Sequence, residues 1–180
     1  MSRENTAERL VCGCPAAYPD WHQSGDIDLG GQLVHSLNIP MFIHMPIGYE
    51  AYLVKQKKDI ERLELHEAWS GFNLTRTGAF RGQLICPLQE THSPARNIMA
   101  LPHPFNLRVR LVEGDIDSIR SDVRLMQSEL LDEGRMPKGL YLSYLTCPTC
   151  EEERGGKRIM ILRHWVKSEK LERKLAKKRK

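Results

Sequence analysis

Four of the five cysteines in this chain fall into two close pairs near its opposite ends, Cys12-Gly-Cys14 and Cys147-Pro-Thr-Cys150. Two short-spaced thiol pairs can complete a tetrahedral sulfur site, and closing it ties an N-terminal arm to the C-terminal half. A Cys-x-x-Cys knuckle lets two sulfurs converge while backbone N–H groups soften their charge, and Pro148 fixes its turn. Cys-x-Cys is a tighter chelate. Together Cys12, Cys14, Cys147 and Cys150 suit zinc or, alternatively, an iron–sulfur cluster. Four protein sulfurs leave no open coordination position, so the expected role of the metal is structural.

Two other fates for these thiols stay open: unrelated free cysteines, or a redox pair. The run Tyr144-Leu-Thr-Cys-Pro-Thr-Cys150 looks like the strand-to-active-site junction of glutaredoxin-type folds. Only 30 residues follow Cys150, too few for the sheet that such a fold still has to build. Glu151-Glu152-Glu153 would also raise a neighbouring thiol's pKa rather than lower it. Cys14, Cys86 and Cys147 each precede proline, and Cys-Pro dipeptides sometimes ligate haem. Cys86 is better explained as a small buried apolar residue.

The 180 residues suffice for one core, or for two half-domains sharing one. The net charge of +4 is unevenly spread. Residues 167–180 carry eight Lys or Arg against two Glu, or +6, which leaves −2 for the body. An odd cysteine count and the polar opening Met1-Ser-Arg-Glu-Asn-Thr argue against an exported disulfide framework. No run approaches the roughly 18 apolar residues needed to span a membrane. A cytoplasmic location is expected.

Residues 1–39 are expected to form an irregular arm, with a short helix over Glu4–Val11 and a surface wrap from Pro15 to Gly31 in which Asp26–Gly31 makes a turn. From residue 40 a β-α-β-β pattern appears twice, in units 40–88 and 105–166. In the first, Pro40–Pro46 has strand composition and Tyr49–Trp69 has helical length. Phe72–Thr77 and Ala79–Leu88 then read as a hairpin. In the second, Phe105, Leu107, Val109 and Leu111 share a strand face. Asp115 is a plausible N-cap for a helix whose stripe is Ile116, Ile119, Val123, Met126 and Leu130. Gly134 suits its C′ position. Leu140–Cys147 and Lys157–Val166 follow as strands. The expected fold is α+β: tandem β-α-β-β units in an antiparallel or mixed sheet, helices on one face, and the other face lining a cleft. This order of elements resembles the tandem βαββ arrangement of gyrase-inhibitor-like effector-binding domains over residues 40–166. The resemblance is topological and carries no motif residues, and ferredoxin-like and other duplicated α+β folds fit almost as well.

His44, on a strand face with Phe42, and His164, on the last strand, could reach a shared cleft with Arg81 and Tyr144. Such cationic and aromatic groups suit a planar or acidic small molecule. No Ser-His-Asp order, phosphate-cradling glycine loop or His-Glu-x-x-His is present. The function expected is a metal-stabilised small-molecule-binding or sensor-like protein. One alternative is an enzyme in the same cleft, with His44 or His164 as general base. The other is a nucleic-acid-binding adaptor that uses the basic tail, 167–180, on phosphate backbones.

Overall fold

The computed structural model describes residues 12–114 and 118–178. The helix expected over Glu4–Val11, the N-cap Asp115 and the stripe residue Ile116 lie outside them. In chain order the first elements are α1 (Trp21–Ser24), β1 (Asp26–Asp28), β2 (Leu33–Phe42), β3 (Met45–Pro46) and α2 (Tyr49–Arg62). Next come β4 (Leu74–Arg76), β5 (Arg81–Pro87), β6 (Ile98–Ala100) and β7 (Asn106–Glu113). Last are α3 (Ile119–Asp132), β8 (Arg135–Tyr144), β9 (Arg158–Lys167) and α4 (Glu169–Lys178). Among the described residues the strands form one nine-stranded sheet, in the order β1-β7-β9-β8-β4-β5-β2-β3, with β6 also on β2. The neighbouring pairs run antiparallel. The architecture is therefore α+β, as expected. No helix of the described residues is long and apolar enough to cross a membrane.

Alternation along the strands sorts side chains onto two faces. On one, Leu37, Ile39 and Met41 of β2 and Leu84 of β5 pack under Tyr49, Tyr52 and Leu53 of α2. Further along the same strands, Leu33, Cys86, Leu88 and Ile98 surround Ile60 of α2. Cys86 is thus a buried apolar residue of this layer, away from the other cysteines. Met126 and Ile119 of α3 pack on Leu142, Ile159 and Ile161. Thr75, which bonds the Tyr49 hydroxyl at 3.1 Å, pairs across β4–β8 with Leu142. Paired residues point to the same side, so α2 and α3 cover one face, as expected.

The opposite face is not the open cleft that the sequence suggests. Val34, Leu74, Ile85, Leu107, Val109, Met160 and Leu162 lie there beneath Phe72, Leu101 and Phe105. Tyr18, Trp21, Ile27 and Leu29, from the segment expected to be an irregular arm, pack onto the same cluster. Burying that much apolar surface is the main favourable term here.

Several bounds move for physical reasons. The first long strand begins at Leu33 and ends at Phe42 rather than running from Pro40 to Pro46. It ends because Ile43 and His44 take positive φ (47° and 68°) and turn the chain into β3. Helix α2 stops at Arg62, not Trp69. Glu64 is left-handed (φ 53°), and Glu67 returns to bridge Leu88 on the sheet. Asp26–Asp28 is a strand on β7 rather than a turn. Strand β8 starts at Arg135 and takes Pro137 into it at a bulge, between Pro137 and Leu140, where the missing N–H is tolerated. Helix α3 holds Ile119, Val123, Met126 and Leu130 of the predicted stripe and ends at Asp132, followed by Gly134 at φ 76°.

Candidate metal centre

Strand β8 ends at Tyr144, and Leu145 N–H still donates to Arg158 O across the hairpin (3.1 Å). The chain then coils tightly. Cys150 and Glu151 N–H both donate to Cys147 O (3.0 Å each), and Arg154 N–H donates to Cys150 O (3.1 Å). This coil brings Cys147 N–H to the Cys150 sulfur (3.4 Å) and the two sulfurs to 3.9 Å. Gly155 and Gly156, both at positive φ, carry the chain back toward β9. Between Cys12 and Cys14, Gly13 (φ 83°) folds the backbone so that both thiols serve one point.

The sulfurs of Cys12, Cys14, Cys147 and Cys150 all lie within 4.8 Å of one another. Thiolates about 2.3 Å from a tetrahedral ion stand about 3.8 Å apart, so small side-chain adjustments suffice to close on one ion. Cys150 is buried and the other three are half-buried. Burial, reinforced by the neighbouring sulfurs, pushes the Cys14 thiol well up. Cys147 moves the other way, to about 6: burial opposes ionisation there, but the Thr149 N–H and hydroxyl and the Cys14 thiol outweigh it. Four thiolates this close repel one another, and a divalent cation is what lets all of them ionise together. The donor set therefore fits a metal ion.

Two further contacts fasten the arm beside the cluster. Arg154 Nη1 donates to Pro15 O (2.9 Å) and to Leu145 O (2.8 Å), joining both cysteine segments. Gly71, at φ 80°, lies so near the arm that a Cβ there would be 3.0 Å from Gly13 O and 3.2 Å from Pro15 N. Trp21 then meets Trp69 and Phe72 edge-on, with ring centroids 5.1 and 5.5 Å apart.

The other predicted residues do not converge. His44 sits in the exposed β2–β3 turn, not on a strand face with Phe42. Tyr144 lies on the helix-covered face, edge-on to Tyr49 (5.4 Å), and burial raises its pKa. Arg81 and His164 share the opposite face, about 14 Å apart at three strand spacings. His164 stacks on Phe105 (4.5 Å), and Phe105 meets Tyr141 edge-on (5.9 Å). Burial lowers the His164 pKa, and the charges of Arg76 and Lys138 lower it further. Arg76 bonds Gln83 (3.3 Å), and Gln83 bonds Asn38 (3.5 Å). Arg76, Gln83 and Lys138 thus surround a more exposed polar end of this face, with Tyr141 buried beside them. Sequence reasoning missed them, although Arg76 and Gln83 follow Leu74 and precede Ile85 at period 2.

No family model matches the chain, and no curated protein does. Among solved structures it is similar to the crystal structure of the EcmrR C-terminal domain, with a TM-score of 0.60 at 12% identity, over 79% of this chain and 96% of that one. It is also similar to EcmrR in a cryo-EM structure of an EcmrR–DNA complex in EcmrR-RPo, with a TM-score of 0.56 at 11% identity. That match covers 79% of this chain and 57% of the other, so this chain spans little more than half of that protein. At such identities the likeness concerns architecture: the chain shares the α+β fold of the EcmrR C-terminal domain.

Proposed function

We propose that this protein is a zinc-clasped, small-molecule-binding module of sensor type. The observation that carries the metal part is the set of four sulfurs within 4.8 Å of one another. A multi-iron cluster fills a larger volume between its thiolates, so this spacing favours a single ion, and an all-sulfur tetrahedral set favours zinc. With four sulfurs bound, the ion holds structure and offers no open position. Cysteines kept as thiols suit a reducing compartment, in keeping with a cytoplasmic protein.

The ligand part is supported by the more exposed end of the sheet face. Arg76, Lys138 and Arg81 supply positive charge there, and the half-buried His164, backed by the buried Phe105 and Tyr141, supplies a ring, a combination suited to a planar or acidic molecule. We read β2-α2-β4-β5 and β7-α3-β8-β9 as two copies of one unit, joined through β4 and β8 into a continuous face. Elemental analysis of purified protein should give one zinc per chain, lost in Cys14→Ser and Cys150→Ser. Iron with inorganic sulfide, or no metal, would overturn the zinc assignment. A screen of aromatic acids by thermal shift should find stabilisers whose effect disappears in Arg76→Ala; hits indifferent to that change would remove the ligand site.

A specific observation favours a second reading, contact with nucleic acid. The face of α4 formed by Lys170, Arg173, Lys174 and Lys177 is basic, with Glu169 beside them paired to Arg173 (3.1 Å), and EcmrR is seen in a DNA complex. It predicts DNA or RNA affinity that falls steeply with salt and disappears on deleting residues 167–180. Affinity unchanged by that deletion would reject it.

A further inference from the structure

Residues 12–24 run from the four sulfurs onto the sheet face opposite the helices, where Tyr18 and Trp21 join the apolar cluster. From residue 25 onward the chain is fastened independently of the sulfurs. Val109 N–H donates to Gly25 O (2.7 Å), β1 pairs with β7, and Leu29 N–H donates to Phe105 O (3.0 Å). Asp26 is held by Arg108 and Arg135 (2.8 and 2.6 Å). Between residues 12 and 24 the anchors among the described residues include the sulfurs, the Arg154–Pro15 bond, the close approach of Gly13 and Pro15 to Gly71, the buried Pro15 and Pro19, and the packing of Tyr18 and Trp21 where α1 meets β7. Fixing the backbone of a segment of that length costs on the order of 13–26 kcal/mol of conformational entropy, more than one charge-assisted hydrogen bond and the burial of two aromatics and two prolines return. The sulfur site supplies the difference.

We infer that occupancy of the four-sulfur site decides whether residues 12–24 stay seated, so that the ion governs a cover over the apolar part of the ligand-facing sheet. The inference rests on the metal assignment proposed above and names its consequence. With the segment seated, Trp21 caps Trp69 and Phe72, and Leu74, Ile85 and Val34 lie closed beneath. With it released, those side chains lose part of their roof. They adjoin the polar end directly: Leu74 precedes Arg76 on the same face of β4, and Ile85 follows Gln83 on β5. The uncovered surface is apolar on one side and cationic on the other. The ligand class it fits is an amphipathic acid, a planar apolar body carrying a carboxylate or sulfonate.

The test uses the full chain, zinc-loaded or stripped by a chelator, with metal content measured on both. Hydrogen exchange should speed up about tenfold or more across residues 16–24 and 69–74 on stripping, while 107–113 and 159–166 keep their protection. An anilinonaphthalene sulfonate probe should bind the stripped protein about tenfold more tightly. Trp21→Ala should admit the probe with zinc retained, which separates the cover from the ion. If the purified chain takes up no zinc, the metal assignment falls and this inference falls with it. If zinc binds and its removal leaves exchange at 16–24 unchanged, the coupling alone is overturned. Loss of protection throughout the sheet would also overturn it, because the ion would then hold the whole fold.

Discussion

Gly71→Ala is the most discriminating substitution available, because it strikes the metal centre without touching a ligand. Gly71 has φ 80°, and its missing Cβ would stand 3.0 Å from Gly13 O, 3.2 Å from Pro15 N and 3.3 Å from Pro15 Cα. Two separate costs follow. The left-handed backbone costs an alanine about 1–2 kcal/mol whether or not the arm is seated. The three contacts are with backbone, which cannot swing aside as a side chain can. Overpacking of this kind costs about 1–3 kcal/mol, and only while residues 13–15 lie against Gly71. The first cost cancels from metal affinity and the second does not. Zinc affinity should therefore fall about 5- to 150-fold, measured by competition with a chromophoric chelator. Melting of the metal-free protein should fall by about 2–8 °C from the backbone term alone. Zinc affinity within about twofold of the parent, with melting lowered as expected, would show that the arm is not seated on Gly71, and the reasoning would fail.

Other perturbations test other parts of the molecule. Arg108, with a side chain only 14% exposed, makes paired bonds to Asp26 and to Glu133. Arg108→Leu should cost about 1–3 kcal/mol in denaturant melts, because Arg135 remains on both carboxylates. His35 is fully buried against Gln56, and burial lowers its pKa, with Asp59 opposing. A histidine held neutral in the fold takes up protons on unfolding. Stability of the metal-free protein should therefore fall as pH drops below the unfolded value of about 6.5, by up to about 1.4 kcal/mol per pH unit for each of His35 and His164, and His35→Gln should remove the first share. The lowered carboxylates Asp26 and Glu133 contribute only below about pH 5, so a chemical-denaturation series from pH 7 to 5 separates them from the histidines. Met126, fully buried under the sheet, should lose about 2–5 kcal/mol as Met126→Ala.

Legibility in the sequence followed how locally each feature is determined. The α3 stripe Ile119, Val123, Met126 and Leu130 and the β7 alternation of Leu107 with Val109 are local, and the structure reproduces them. The start of β2 was hidden because Pro40 looks like a strand boundary, yet it pairs with Arg81 inside the strand. Pro137 likewise marked a stop after α3 and instead lies in β8, because a bulge absorbs it. The cysteine set was legible because short spacings report two halves of a site, and the fold brings the halves together. The His44–Tyr144 part of the proposed cleft was not. Which face a residue takes depends on register and on the exact end of a strand, and a one-residue shift reverses it. Nor did any local signal tell that Trp21 and Tyr18 would roof the sheet. Two aromatics in a polar, proline-rich stretch are ambiguous until their partner surface is known.

The sheet finishes at each side in a very short strand, Asp26–Asp28 at one end and Met45–Pro46 at the other. Neither short strand presents a long run of N–H and C=O groups, and a proline occupies one of the last positions, while β7 runs on to Glu113 past the three residues that β1 pairs. A broad antiparallel sheet with long open borders is a template for recruiting further chains. Here the outermost strands are clipped to two or three residues each, so an added strand finds little purchase on them.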